Sequence, residues 1–249
     1  MRLTILGSGT ATPLLDRSNA GYLLEVTNLK LLLDSGAGTI RRLLEMKFDL
    51  FDIGNIFYTH LHNDHINDLG AIIWSNNYGL KRTKQLNLYG PEGLKKYYKT
   101  LVNSLLTPKK LYFDVNVNEL KNSKLKIGDV KIKTFPTRHS STTRSIIYRF
   151  ERKNKAFVYT GDTDYCKEAI EAAKNADVLM AECSTSDENK AEGHLTPSLA
   201  GKIATEAKVK KLVLTHFYPE VLKTDIVKQC RKEFSGKIIL AKDKLIINI

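Results

Sequence analysis

Three cysteines, one tryptophan and six prolines in 249 residues leave little room for several classes of protein. Cys166, Cys183 and Cys230 are odd in number and show neither paired nor metal-ligand spacing, so a disulfide scaffold is excluded and reduced thiols in a cytoplasmic protein are expected. No apolar run approaches the ~18 residues needed to span a bilayer, and the start MRLTILGSGTATP lacks the apolar core of a signal peptide. A soluble protein without a membrane partner is therefore expected. Low-complexity linkers and short repeats are absent too, which argues against arrays and flexible multidomain chains.

What is present fits a folded protein. Apolar residues make up 42% and charged residues 27%, and a chain of this size buries roughly 70–75% of the surface its unfolded form exposes. A metal is then not needed to hold the fold together and would serve chemistry. The 39 Lys and Arg against 27 Asp and Glu give a net charge of +12, but the lysines are scattered along the chain. Such a distribution reads either as a solvated surface or as a nucleic-acid footprint, and only clustering on one face separates the two.

Extended runs are predicted at 2–6, 21–26, 30–34, 55–59, 86–89, 130–135, 145–151, 155–160, 177–182, 211–215 and 244–249. Helical spacing is predicted at 38–47, 66–75, 92–105, 165–174, 197–207 and 224–233, with Thr196-Pro197 a start signal. The stretch 106–130 is the least legible. Short polar turns join 21–26 to 30–34 and 145–151 to 155–160 as hairpins, which excludes a purely parallel sheet and favours layered α/β with mixed sheets.

The densest signal is NIFYTHLHNDH at 55–65, where an apolar run ends in His60, His62, Asp64 and His65. In extended backbone, residues two apart point the same way, so His60 and His62 can converge on one ion while Asp64 and His65 face a second. Imidazole suits Zn²⁺, whereas Mg²⁺ or Ca²⁺ sites are built from oxygen. The other three histidines also lie in loops or at strand ends: His139 in FPTRHS, His194 in GHLTP and His216 in LVLTH. Asp162 follows the run FVYTG. Any one alone reads as a structural residue; together they read as a dinuclear site.

HLHNDH, followed by His139, Asp162 in GDT and His216, resembles the metallo-β-lactamase superfamily from residue 1 to about residue 220. LGSGTATP, LLLDSGAGT around Asp34, LYGPEGL, HLTP and KLVLTHF resemble its ribonuclease Z (tRNase Z) and phosphodiesterase branch. The resemblance implies one 1–249 domain, a four-layer αββα sandwich of two mixed sheets. It also implies two Zn²⁺ ions, with Mn²⁺ or Fe²⁺ as alternatives. His60, His62 and His139 would hold one metal, Asp64, His65 and His216 the other, and Asp162 would bridge them. The activity implied is metal-dependent phosphodiester hydrolysis by a hydroxide shared between the ions, with Asp64 or Asp162 orienting it. His194 in HLT and Glu182 in AECS match the motifs of the branch's proton donor and its supporting glutamate, although Leu195, Ala181, Cys183 and Ser184 depart from the usual letters. Taken alone, Glu182 reads equally as a strand-end acid paired with a lysine.

Two departures bear on the substrate. The loop PLLDRS keeps Pro13 and Arg17 of the branch's PxKxRN but has Leu15 and Ser18 in place of Lys and Asn. Asp162 follows His139 by only 23 positions, and the hairpin at 145–160 uses most of them, so the arm that grips tRNA in the branch has no room. The expected substrate is a small or single-stranded phosphodiester, RNA or cyclic nucleotide. The alternatives are a tRNA 3′-processing endonuclease, an acyl (lactone or thioester) hydrolase, and a non-catalytic metal-stabilised RNA-binding module. A homodimer is expected from the resemblance. Asp34 is expected either to hold a metal-bound histidine from behind or to cap the following helix. The Gly7–Gly9 turn is expected to be a tight strand exit.

Overall fold

The computed structural model describes residues 1–249. Its frame is two seven-stranded sheets. One holds β1 (Arg2–Gly7), β2 (Gly21–Val26), β3 (Leu29–Ser35), β4 (Asn55–Phe57), β5 (Leu86–Gly90) and β6 (Val115–Glu119), with β14 (Ile246–Asn248) added beside β1. The other runs β13-β12-β11-β10-β9-β8-β7, made of β7 (Lys124–Ile127), β8 (Val130–Pro136), β9 (Ile146–Arg152), β10 (Lys155–Tyr159), β11 (Val178–Glu182), β12 (Lys211–Thr215) and β13 (Lys237–Leu240). Both repeat one plan: antiparallel neighbours on one side, then a parallel run, β3 to β6 in the first sheet and β10 to β13 in the second. The two mixed sheets expected from the sequence are thus present, and their topologies are alike.

Burial explains the layering. Buried side chains from both sheets, among them Leu3, Ile5, Leu24, Leu33 and Phe57 from the first and Ile132, Tyr148, Phe150 and Val158 from the second, form one core. The opposite face of the first sheet, with Leu6, Leu23, Leu32, Ile56 and Leu88, packs with side chains of α1 (Thr39–Glu45), α3 (Leu69–Trp74) and α4 (Leu94–Thr100). The second sheet is covered by α5 (Lys167–Ala173) and α6 (Pro197–Glu206), whose Thr196 caps the helix by accepting from the Leu199 N–H ahead of Pro197 at its first turn. Strands buried on both faces read as continuous apolar runs, which is why LVLT and VLMA carry no alternation.

Several elements differ from expectation. The region 106–130 contains β6 and β7, whose alternation is weak because their side chains are only partly buried at the sheet edges. The helix expected at 66–75 is split into α2 (Asn63–Ile66) and α3, and continues as a π-turn at Ser75–Gly79. The start is brought forward because the metal-ligand loop itself turns helical at Asn63. β13 follows α7 (Ile226–Cys230) and gives no strand signal in the sequence, its side chains being only partly buried at the sheet edge. The Gly7 exit is a close backbone crossing: a Cβ there would lie 1.7 Å from the Asn19 carbonyl oxygen.

Candidate metal centre

The site lies where chain segments leave the parallel strands of both sheets. His60 follows β4, Asp162 follows β10, Glu182 ends β11 and His216 follows β12; the loop after β8 brings His139, and Asp64 and His65 sit in the first turn of α2. Three sets of donors converge with ligand atoms mutually within 4.8 Å: His60, His62 and His139; Asp64, His65 and His216; and His60, His65 and Asp162. All seven residues singled out for metal therefore meet in one place. The groups His139–Asp162–His194 and Glu182–His194–His216 place the proposed acid at its rim.

Hydrogen bonds fix which atom each imidazole presents. Asp34 accepts from the His65 Nδ1–H at 2.8 Å, the Thr59 N–H at 2.8 Å, the Thr59 hydroxyl at 2.9 Å and the Tyr159 hydroxyl at 2.7 Å. Because that Thr59 hydroxyl donates to Asp34, its oxygen accepts from His60 Nδ1 at 3.1 Å. His139 Nδ1 donates to the Gly193 carbonyl at 2.9 Å. His216 Nδ1 donates to Ser184 Oγ at 2.9 Å, and Ser184 passes its own proton to Glu182 Oε2. Four rings are thus held from behind with Nε2 lone pairs turned inward, and His62 faces the centre through Nδ1. Asp34 is not a helix cap, since Gly38 occupies that position of α1. Gly193 is needed for its contact with the histidine loop: at φ 78° a Cβ would lie 2.1 Å from the His139 carbonyl oxygen.

Within the centre the donor atoms crowd without partners that suit them. His60 Nε2 and Asp162 Oδ1 are buried and make no hydrogen bond. His62 Nδ1 and His139 Nε2 are 3.1 Å apart, as are His65 Nε2 and His216 Nε2. Two lone pairs that close repel unless a cation lies between them, and four ligands at the usual Zn–N length sit about 3.3 Å from one another. Five imidazoles and two carboxylates suit a borderline divalent transition metal. The residues therefore fit metal ions.

The electrostatics agree. Burial pushes His60 well below its ordinary value, reinforced by the neighbouring His65. Burial also lowers His62, with His139 adding to the effect. Asp64 is brought to about 2 despite burial, by the neighbouring His216 ring and the charge of His65. Burial would lower His65, but Asp162 and Asp34 on its two sides raise it well above the usual range. Asp162, whose burial alone would raise it, is held well below by His216 and His65. The carboxylates of Asp64 and Asp162 and the lowered rings of His60 and His62 are in the states a divalent ion requires, while the carboxylates around His65 favour positive charge there, which a bound cation would supply in place of the proton.

His194 lies beside this centre with Nδ1 3.0 and 3.2 Å from the two oxygens of Glu182 and 3.9 Å from Asp162. Burial lowers it, but the Glu182 hydrogen bond and charge bring it up to about 9. Glu182 is buried and also accepts the Thr163 N–H at 2.8 Å; no lysine pairs with it, which decides between the two readings of that acid. Sequence reasoning missed three supports. Ser184 lies two residues after Glu182, a spacing that signals the same side of an extended chain. Tyr159 and Thr59 are ordinary strand-end residues and carry no such signal.

The sequence profile of the Anti-Pycsar protein Apyc1 family matches residues 1–238. The ribonuclease Z of Archaeoglobus fulgidus is 26% identical over 96% of this chain and 94% of its own length, and that of Thermoplasma acidophilum 28% over 94% and 92%. The first alignment runs over 295 positions against 249 residues here, so that relative has segments without a counterpart in this chain. Among solved structures, the metallo-β-lactamase fold protein YhfI from Bacillus subtilis superposes with TM-score 0.87 at 24% identity, covering 99% of this chain and 98% of that one. The short form of human tRNase Z superposes with TM-score 0.82 at 25% identity, covering 100% and 99%. No helix is long and apolar enough to cross a membrane. The chain is a ribonuclease Z-like, metal-dependent hydrolase of the metallo-β-lactamase superfamily, and it belongs to the Anti-Pycsar protein Apyc1 family.

Proposed function

We propose that the protein is a phosphodiesterase for small phosphodiesters, cyclic nucleotides included, working with two Zn²⁺ ions or with Mn²⁺ or Fe²⁺ in their place. His60, His62 and His139 would hold one ion and Asp64, His65 and His216 the other, with Asp162 a further ligand between the two sets. The observation that carries this reading is the pair of buried, unpartnered atoms, His60 Nε2 and Asp162 Oδ1, in the middle of the converged set. When bound, the ions supply an activated water and offset charge developing on the phosphoryl oxygens.

The chain's own groups do the rest. Asp64 Oδ2 lies 3.3 Å from His216 Nε2, where both would face the same ion, which leaves Oδ1 to align the attacking water. Glu182 fixes His194 through Nδ1, so His194 holds its transferable proton at Nε2 and delivers it to the departing alkoxide, a step worth typically ~10²–10⁴ in rate. The small-substrate reading is supported by the connections: residues 137–145 join β8 to β9 and two residues, Lys153 and Asn154, join β9 to β10, leaving nothing there to project toward a tRNA.

The whole chain acts as a single domain, and it works as a homodimer in the cytoplasm. Exposed Trp74, Tyr78, Leu105 and Tyr112, on and beside α3 and the turns after α4, support the dimer, and three buried free cysteines support the reducing compartment. The test is a screen of metal-loaded protein against cyclic nucleotides, bis-p-nitrophenyl phosphate, pre-tRNA and thioesters, with His62→Ala alongside. Hydrolysis of the small diesters, lost in the variant, is expected. Cleavage of pre-tRNA alone, as the relatives' name suggests, or of acyl substrates alone, overturns the assignment.

A further inference from the structure

Two cavities flank the metal centre, and they differ in chemistry. Beside His139 lies one of about 700 Å³, bordered by Arg138 and Lys167 as well as Glu168 and Glu192. Beside His194 lies a smaller one of about 320 Å³, at the lower end of the range for small-molecule sites. No lysine or arginine lines it, and its one carboxylate is Glu220. Its polar groups are the neutral side chains of Thr185, Ser186 and Asn189, and its aromatic wall is Tyr218. That ring stands nearly perpendicular to His194 and His216, at 80° and 85°, with centroids 6.4 and 6.2 Å away.

We propose that the cavity beside His194 receives the leaving-group half of the substrate as one nucleoside, its base stacked on Tyr218 and its edge read by Asn189. The reasoning rests on the function proposed above. The atom that departs must lie next to the proton donor, so the group attached to it runs into the space that His194 itself borders. The one cation on the wall is His194, already paired with Glu182, and Glu220 adds a negative charge, so a further phosphate finds no free partner there, and the volume admits one nucleoside but not a strand. Aromatic faces hold bases with little sequence preference, while amide and hydroxyl groups supply discrimination.

The test has two arms. Metal-free protein is titrated with uridine and adenosine, which carry no phosphate, and metal-loaded protein is assayed on a dinucleoside monophosphate. Wild type is expected to bind the nucleosides saturably in the millimolar range. Tyr218→Ala weakens this binding, and raises KM for the diester, by about 5- to 150-fold, the range that base–aromatic stacking supplies. Tyr218→Phe restores both, kcat changes little, and Asn189→Ala alters the uridine-to-adenosine ratio. Nucleoside binding that is undetectable in wild type, or equal in Tyr218→Ala, overturns the proposal, as does a fall in kcat at unchanged KM. Saturable nucleoside binding by a protein that cleaves no diester refutes the proposed function and leaves this pocket standing; cleavage without nucleoside binding does the reverse.

Discussion

Replacing Asp34 by Asn removes a charge at the point where the two sheets and the metal loop are tied together. The backbone there has φ 53°, a conformation that Asn tolerates as well as Asp, so the change tests the carboxylate and not the turn. Four donors end on this fully buried side chain. Three of the four meet Oδ2 and only the Thr59 N–H meets Oδ1, so an amide with its oxygen at the Oδ2 position leaves one donor, the Thr59 N–H, facing its NH₂. At roughly 1–3 kcal/mol for a buried group left unpaired, the cost is about 1–3 kcal/mol. For a chain of this length that corresponds to a melting temperature lower by about 2–12 °C. His65 Nδ1 then meets a neutral amide oxygen in place of the carboxylate, so metal affinity falls about 10- to 100-fold. Thermal unfolding of metal-free protein reads the first effect and competition with a chromogenic chelator the second. A variant that melts within about 1 °C of wild type and keeps metal affinity within about threefold refutes the account of Asp34 as the centre's anchor.

His194→Ala is expected to lower kcat on small diesters by about 10²–10⁴ while metal stoichiometry, read by elemental analysis, stays unchanged; an unaltered rate removes His194 as proton donor. Ser184→Ala breaks the link between His216 and Glu182, and should lower both metal affinity and kcat, with Ser184→Thr restoring them because it keeps the hydroxyl. Burial pushes the Asp177 carboxyl up, but hydrogen bonds from Lys210 and the Ala156 N–H, with the charge of Lys155, hold it below its ordinary value. A carboxyl whose folded pKa is depressed contributes stability above its unfolded pKa, about 3.9, and loses it as pH falls through the folded value. Asp177→Asn should therefore be less stable by about 1–2 kcal/mol at pH 7 and show a shallower decline below pH 4 in urea titrations. Gly7→Ala forces a Cβ against the Asn19 carbonyl and should abolish soluble protein or lower its melting point sharply; unchanged melting would mean the crossing is not as close as described.

The chemistry of this protein was legible in one dimension because metal ligation demands particular side chains. Histidine at 60, 62, 65, 139 and 216 with Asp64 and Asp162 is a set that packing has no reason to assemble, and strand-end positions follow from the apolar runs that precede them. Strands buried on both faces, and hairpins with short polar turns, were equally visible. What tertiary structure alone decided is how those ligands are held. The partners behind the rings are Asp34, Thr59, Ser184 and the Gly193 carbonyl, drawn from segments far apart in the chain, and a backbone carbonyl has no side-chain signature at all. The choice of His194 over a lysine for Glu182 is of the same kind, because a carboxylate pairs with whichever cation the fold brings within 3 Å. Edge strands such as β6 and β7 stay hidden for the opposite reason: half-exposed side chains are under weak pressure to alternate, and only their neighbours' backbone hydrogen bonds define them.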